Sequence, residues 1–173
     1  MDRIAILGCG GSGKTFLANQ LAELLTLPLT HLDAVYYDAD WNPLPTDEFA
    51  ARQRELTAAP RWLLEGNYAA TLPIRLAAAD TVIFLDLPAT TCLLGIAQRR
   101  WRYRGGQHER DGVYDRITLG FLRYIWSYRK TMRPRVTQLL IEHGTGTQLI
   151  TLTSRRATAR FLRALRDQHT TRH

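Results

Sequence analysis

Short apolar runs alternate with longer stretches of helical periodicity along the chain. Arg3–Leu7 (RIAIL) suits a buried strand and is too short for a helix. A glycine cluster follows, and then Leu17, Leu21, Leu24 and Leu25 recur at helical spacing within Phe16–Leu25. Strand, glycine loop and helix make the opening of a βαβ unit. Leu29–Leu32 reads as a second strand ending at Asp33, and Ala34–Thr46, with two prolines and Tyr36, Tyr37 and Trp41, as a loop. Asp47–Ala59 is expected as a helix capped by Thr46 and closed before Pro60. Strands are expected at Trp62–Leu64, Thr81–Leu85 and Leu149–Leu152. Helices are expected at Ala89–Arg104, over most of Asp115–His143 with Pro134 at a start or kink, and at Thr158–Gln168. Five short strands separated by helices imply an α/β fold with a parallel, doubly wound sheet in one domain, residues 1–173.

Composition narrows the class. The 173 residues are 45% hydrophobic and 23% charged, which excludes a disordered or fibrous chain. Cys9 and Cys92 are too few for a disulfide framework and point to a reducing, cytoplasmic setting. Neither a membrane-length apolar run nor a signal-peptide pattern is present, so a soluble protein without a membrane partner is expected. The net charge of +7 is uneven: residues 1–98 hold 6 Lys/Arg and 11 Asp/Glu, whereas residues 99–173 hold 17 and 5. Such a basic half suits a polyanion, either a nucleotide's phosphates or a nucleic acid.

The chemistry begins at Gly8-Cys9-Gly10-Gly11-Ser12-Gly13-Lys14-Thr15, which fits G-x-x-x-x-G-K-[ST] at every fixed position. Glycines let backbone amides turn inward as a nest for a polyphosphate, and the following helix aims its N-terminus at the same charge. Lys14 supplies a point charge for the β- and γ-phosphates, and the Thr15 hydroxyl is a ligand for Mg2+. ATP with Mg2+ is therefore the expected nucleotide, held by Gly8, Gly10, Gly11, Ser12, Gly13, Lys14 and Thr15. No N-K-x-D motif is present, which argues against a GTPase.

Two further segments resemble adenylate kinases. WLLEGNY (62–68) is similar to their strand-to-turn segment, and VIFLDLP (82–88) to their next strand. The chain also resembles the DNA topology modulation protein family (FlaR-like), which is related to adenylate kinases. That likeness rests on HLDAVYY (31–37), WLLEGNY, LPIRLAAADTVIFLDLP (72–88), Arg99-Arg100 and Arg133-Pro134, and covers about residues 1–140. It implies a three-layer, nucleoside-monophosphate-kinase-like fold with an arginine-rich helical lid at about residues 99–116. It also implies that Glu65 is a second-shell magnesium or water ligand, that Arg99 contacts the transferring phosphoryl group, and that Arg75 holds an acceptor's phosphate or carboxylate. Gly95 stands where adenylate kinases carry an adenine-stacking arginine, and Arg155 is the candidate to replace it.

Asp33, expected at a strand end, faces the ligand crevice and can orient an acceptor hydroxyl or take its proton. Tyr68, in the same turn as Glu65, is an acceptor contact. Arg99, Arg100, Arg102, Arg104 and Arg110 flank Gly105-Gly106, as a basic lid over a nucleotide requires, with Arg104 and Arg110 the nucleotide contacts after Arg99. The aromatic stretch Phe121, Tyr124, Ile125, Trp126 and Tyr128 reads as core, and Asp86-Leu87-Pro88 as turn chemistry. The leading expectation is a kinase moving the γ-phosphoryl of Mg-ATP to a nucleotide or other small acceptor. The alternative is a nucleotide-gated, nucleic-acid-binding regulator.

Overall fold

The computed structural model describes residues 1–38, 42–102, 118–144 and 146–170, with no side-chain description for Arg102 and Thr170. The strands are β1 (Arg3–Gly8), β2 (Leu29–His31), β3 (Trp62–Glu65), β4 (Thr81–Leu85) and β5 (Gln148–Leu152). All pair in parallel in the order β2-β3-β1-β4-β5. β1 lies at the centre, with Ile4 opposite both Leu63 and Thr81. Burial on both faces explains its unbroken apolar run: Ile4, Ala5 and Ile6 have no exposed surface.

Seven helices are described: α1 (Lys14–Leu25), α2 (Leu32–Tyr36), α3 (Thr46–Thr57), α4 (Leu72–Ala78), α5 (Ala89–Arg102), α6 (Leu119–His143) and α7 (Arg155–Thr170). α1 and α7 pack together, and α6 packs against α4 and α5. Leu17 and Leu21 of α1, Leu72 and Leu76 of α4, and Ile125 and Val136 of α6 fill one core around the sheet. Burying each leucine is worth roughly 1.5–3 kcal/mol relative to leaving it exposed. Among the described residues no helix is long and apolar enough to cross a membrane.

The expected strands are all present, and the differences lie at strand ends and in the helices. The second strand stops at His31, because the chain turns there into α2 and so buries Leu32 completely. Asp33 is therefore in the first turn of a short helix, not at a strand end. α4 lies in a stretch with no helix expected, and its signal was Pro73 in the first turn, where a missing N–H is harmless. Pro134 sits inside α6, well away from the helix start at Leu119. Thr118 caps that start by accepting a hydrogen bond from the Phe121 amide at 3.1 Å. α7 begins at Arg155, three residues earlier than expected. Most of the expected lid lies outside the described residues, including Arg104, Arg110 and Gly105-Gly106, as does Trp41.

Candidate active site

The glycine loop between β1 and α1 has the backbone that its sequence demands. Gly11 and Gly13 adopt φ of 76° and 93°, a left-handed conformation that side chains resist. A Cβ added at Gly13 would meet nothing within 4 Å, so the loop encloses open space there. At Gly11 a Cβ would stand 2.1 Å from the Cys92 carbonyl oxygen, and at Gly95 it would stand 2.2 Å from the Gly11 carbonyl oxygen. The loop's main chain thus presses directly on α5: the Cys92 carbonyl excludes a side chain at Gly11, and the Gly11 carbonyl excludes one at Gly95. The Lys14 ammonium curls back to donate to the Cys9 carbonyl at 3.2 Å. The Ser12 hydroxyl is buried and has no hydrogen-bond partner within the protein. The Cys9 thiol is buried and shares a hydrogen bond with Cys92, both of which push its pKa up.

Glu65, at the end of β3, gathers the neighbouring strand ends. One oxygen lies 3.7 Å from the Lys14 ammonium. The other accepts from the Thr15 hydroxyl at 3.4 Å and meets His31 Nδ1 at 3.0 Å. Burial alone would raise this carboxyl, but the His31 hydrogen bond, the Lys14 charge and the Thr15 hydroxyl hold it below the usual carboxylate range. A carboxylate beside a threonine hydroxyl at the mouth of an amide nest is an all-oxygen donor set. It fits a magnesium ion, which retains waters and takes few protein ligands. His31 went unassigned in the sequence, and its place at the end of β2 is the signal that locates it.

The Gly66–Tyr68 turn forms the opposite wall. Gly66 has φ of 149°, with a Cβ excluded by Leu32 at 2.9 Å, and Tyr68 is held at φ 36°, a strained value for a bulky residue. Arg75 explains how the turn persists. Its side chain is fully buried and donates to the carbonyls of Gly66 and Asn67 at 2.6 Å each and of Tyr68 at 3.3 Å. Burial pulls its pKa down to about 9, which still leaves it cationic at neutral pH. The expectation that Arg75 contacts an acceptor's anion is corrected: both terminal nitrogens of the guanidinium are taken by main-chain carbonyls, its buried Nε has no hydrogen-bond partner among the described residues, and it does not line the cleft. Asn67, missed in the sequence, links three elements. Its side-chain oxygen accepts from the Gly8 amide and from the Tyr128 hydroxyl, each at 2.9 Å.

The Tyr68 hydroxyl donates to Asp33 at 2.5 Å, and its ring packs on Tyr36 and Phe49 with centroids 4.7 and 4.8 Å away. Burial and the Asp33 charge both push the Tyr68 phenol upward, so it remains a donor. Asp33 keeps a second oxygen for a ligand.

These parts line one cleft of about 1550 Å³, bounded by the glycine loop, Asp33, Tyr37, Glu65 and Tyr68 together with residues of α5, α6 and α7. A single small-molecule site typically needs 300–1,000 Å³, so there is room for two ligands. Arg99 lines it one turn beyond Gly95. Arg155 also lines it, donating to Gln98 at 3.0 Å, with a guanidinium nitrogen 3.0 Å from where a Gly95 side chain would begin. Its guanidinium thus lies beside Gly95, next to the Gly11 carbonyl that fills the space a side chain there would need. The aromatic stretch of α6 divides. Ile125 and Tyr128 are core as expected, while Phe121 and Tyr124 line the cleft and Phe121 abuts Gly10. Asp86 is buried at the end of β4 and pairs with Arg129 at 3.1 Å and Arg133 at 3.5 Å, a structural tie between sheet and α6.

No family model matches the sequence, and no curated protein does. Solved structures with a similar fold include shikimate kinase from Acinetobacter baumannii in complex with shikimate, at 18% identity and a TM-score of 0.58, covering 99% of this chain and 94% of that one. A gluconokinase from Sinorhizobium meliloti aligns at 16% identity and a TM-score of 0.57, covering 98% and 92%. Shikimate kinase from Bacteroides thetaiotaomicron aligns at 14% and 0.52, covering 96% and 97%. The chain has the P-loop kinase fold: a five-stranded parallel sheet flanked by helices, with the glycine loop after the central strand.

Proposed function

We propose that the protein is a P-loop phosphotransferase that moves the γ-phosphoryl of ATP to a hydroxyl of a small acceptor. The observation that carries this reading is the meeting, in one cleft, of a phosphate nest with Lys14, Thr15 and Glu65 on one wall and the Asp33–Tyr68 pair on the other. The solved neighbours named as small-molecule kinases support it.

The loop amides and Lys14 hold the triphosphate, and Arg155, beside Gly95, is the arginine proposed to stack on the base. Thr15 and Glu65 are the residues that would hold a magnesium ion, which when bound supplies charge neutralisation on the β- and γ-oxygens. Arg99, on α5, balances charge on the transferring group. Asp33 accepts a hydrogen bond from the acceptor hydroxyl and takes its proton. The acceptor oxygen bonds to the γ-phosphorus as the bond to the β–γ bridging oxygen breaks, and ADP leaves. Positioning and electrostatics suffice for such a transfer without a covalent intermediate. Arg104 and Arg110 complete this reading as lid contacts, and the FlaR-like resemblance belongs to it as the family assignment. Net basic charge alone favours the nucleic-acid regulator, whereas the cleft's specific groups favour the kinase.

The test is ATP-dependent phosphorylation of a panel of nucleosides, nucleotides, sugars and small alcohols. Turnover should require magnesium and vanish in Lys14→Ala. Turnover undiminished in that variant would refute the reading.

A further inference from the structure

We infer that the acceptor carries no phosphate or carboxylate, and that this cleft takes an uncharged or amine-bearing ring with hydroxyl groups. The inference rests on the phosphotransferase reading and names its substrate class. Three independent observations carry it.

The first is charge. Between Lys14 and Arg52 the chain contains no lysine or arginine, yet it holds Glu23, Asp33, Asp38, Asp40, Asp47 and Glu48. This segment supplies α1, which carries Glu23, and then β2, α2 and the start of α3, and of its described acidic residues Asp33 is the one that lines the cleft. The basic residues lining the cleft among the described residues are Lys14, Arg99, Arg135 and Arg155, and all four come from the glycine loop and helices α5, α6 and α7.

The second observation is the fate of Arg75. It is the one arginine or lysine between Arg61 and Arg99, and its guanidinium is turned inward onto three carbonyls. The cation best placed in sequence to grip an acceptor's anion is thus spent on shaping the wall.

The third is the surface that remains. Asp33 is braced by the Tyr68 hydroxyl, and Tyr36, Tyr37, Phe49 and Tyr68 pack in edge-on and tilted contacts beside it. Asp33, Tyr37 and Tyr68 face the cleft. A carboxylate flanked by aromatic rings binds hydroxyls and ammonium groups, and apolar ring faces lie against the aromatics. An acceptor anion would meet Asp33 as a like charge across a partly desolvated contact, which disfavours binding. In the transfer, the hydroxyl bonds to the γ-phosphorus, its proton goes to Asp33, and ADP departs.

Matched pairs test this directly. Nucleosides are compared with their 5′-monophosphates, glucose and glucosamine with gluconate and glucose 6-phosphate, using ATP-dependent phosphorylation of the full chain. At least one uncharged or amine-bearing member should be phosphorylated, with kcat/KM at least about tenfold above its anionic counterpart. Asp33→Asn should lower kcat/KM for that acceptor by tenfold or more while leaving Mg-ATP affinity within about twofold. Preference for an anionic member, or transfer to none of the panel, would overturn the inference. Lys14-dependent binding of Mg-ATP, measured in parallel, separates that outcome from failure of the phosphotransferase reading itself.

Discussion

The two walls of the cleft are built on opposite principles. The glycine loop is shaped by its backbone: its left-handed glycines, its contact with α5 and the open space at Gly13 belong to the main chain. The facing wall works through side chains brought together from α2, α3 and the Gly66–Tyr68 turn, and one buried arginine holds the turn in shape. A backbone site tolerates few residue types and leaves a fixed spacing in the sequence. A side-chain site depends on tertiary packing and leaves almost none. Under the proposed function, the first wall would take a group common to all nucleotides, and the second would be free to vary with the acceptor.

Arg75 is where this contrast breaks most severely. Arg75→Met keeps most of the volume but leaves the carbonyls of Gly66, Asn67 and Tyr68 without their donor. A loss of about 3 kcal/mol in unfolding free energy is expected by chemical denaturation. A change under about 0.5 kcal/mol would mean that the turn holds its own shape.

A smaller effect is expected on the other wall. Gly95→Ala places a methyl 2.2 Å from the Gly11 carbonyl oxygen, so the loop and α5 must separate. That overpacking should cost about 1–3 kcal/mol and also weaken Mg-ATP binding in calorimetry. Stability lost with ATP affinity intact would show that the contact supports the fold alone.

The smallest effect is a pH dependence. The Glu65 pKa is lowered on folding, because His31, Lys14 and Thr15 together outweigh its burial. Its contribution to stability is therefore complete above the ordinary carboxylate value of about 4.3, and is lost as pH falls through the lower folded value. Glu65→Gln should flatten the acid limb of the stability profile relative to the parent. An unchanged acid limb would remove Glu65 from the account of that titration.

Legibility in the sequence follows the same division. Strand β1, the loop and α1 could be read from local pattern because each residue type had a local cause. Strand β4 was legible for a similar reason, since five consecutive residues are buried. α2 was not, because a five-residue helix is too short for periodicity to register. Asp33 was placed correctly in the cleft but on the wrong element, since a one-residue change in where β2 ends was invisible locally. Arg75 misled for a physical reason. Arginine is almost never fully buried unless paired, and its partners here are carbonyls seven to nine residues earlier, which no motif records. Phe121 and Tyr124 shared the helical spacing of their buried neighbours, and only the position of α6 over the glycine loop sends them to the cleft.

The central claim is that the two walls act on different ligands. Equilibrium binding of Mg-ATP to the parent protein, Lys14→Ala and Asp33→Asn tests it most directly. Removing the charge-assisted contact of Lys14 should weaken binding by about 10–100-fold with little change in melting temperature. Asp33→Asn, on the far wall, should bind Mg-ATP within about twofold of the parent. Parental affinity in Lys14→Ala, or equal losses in both variants, would contradict a divided cleft.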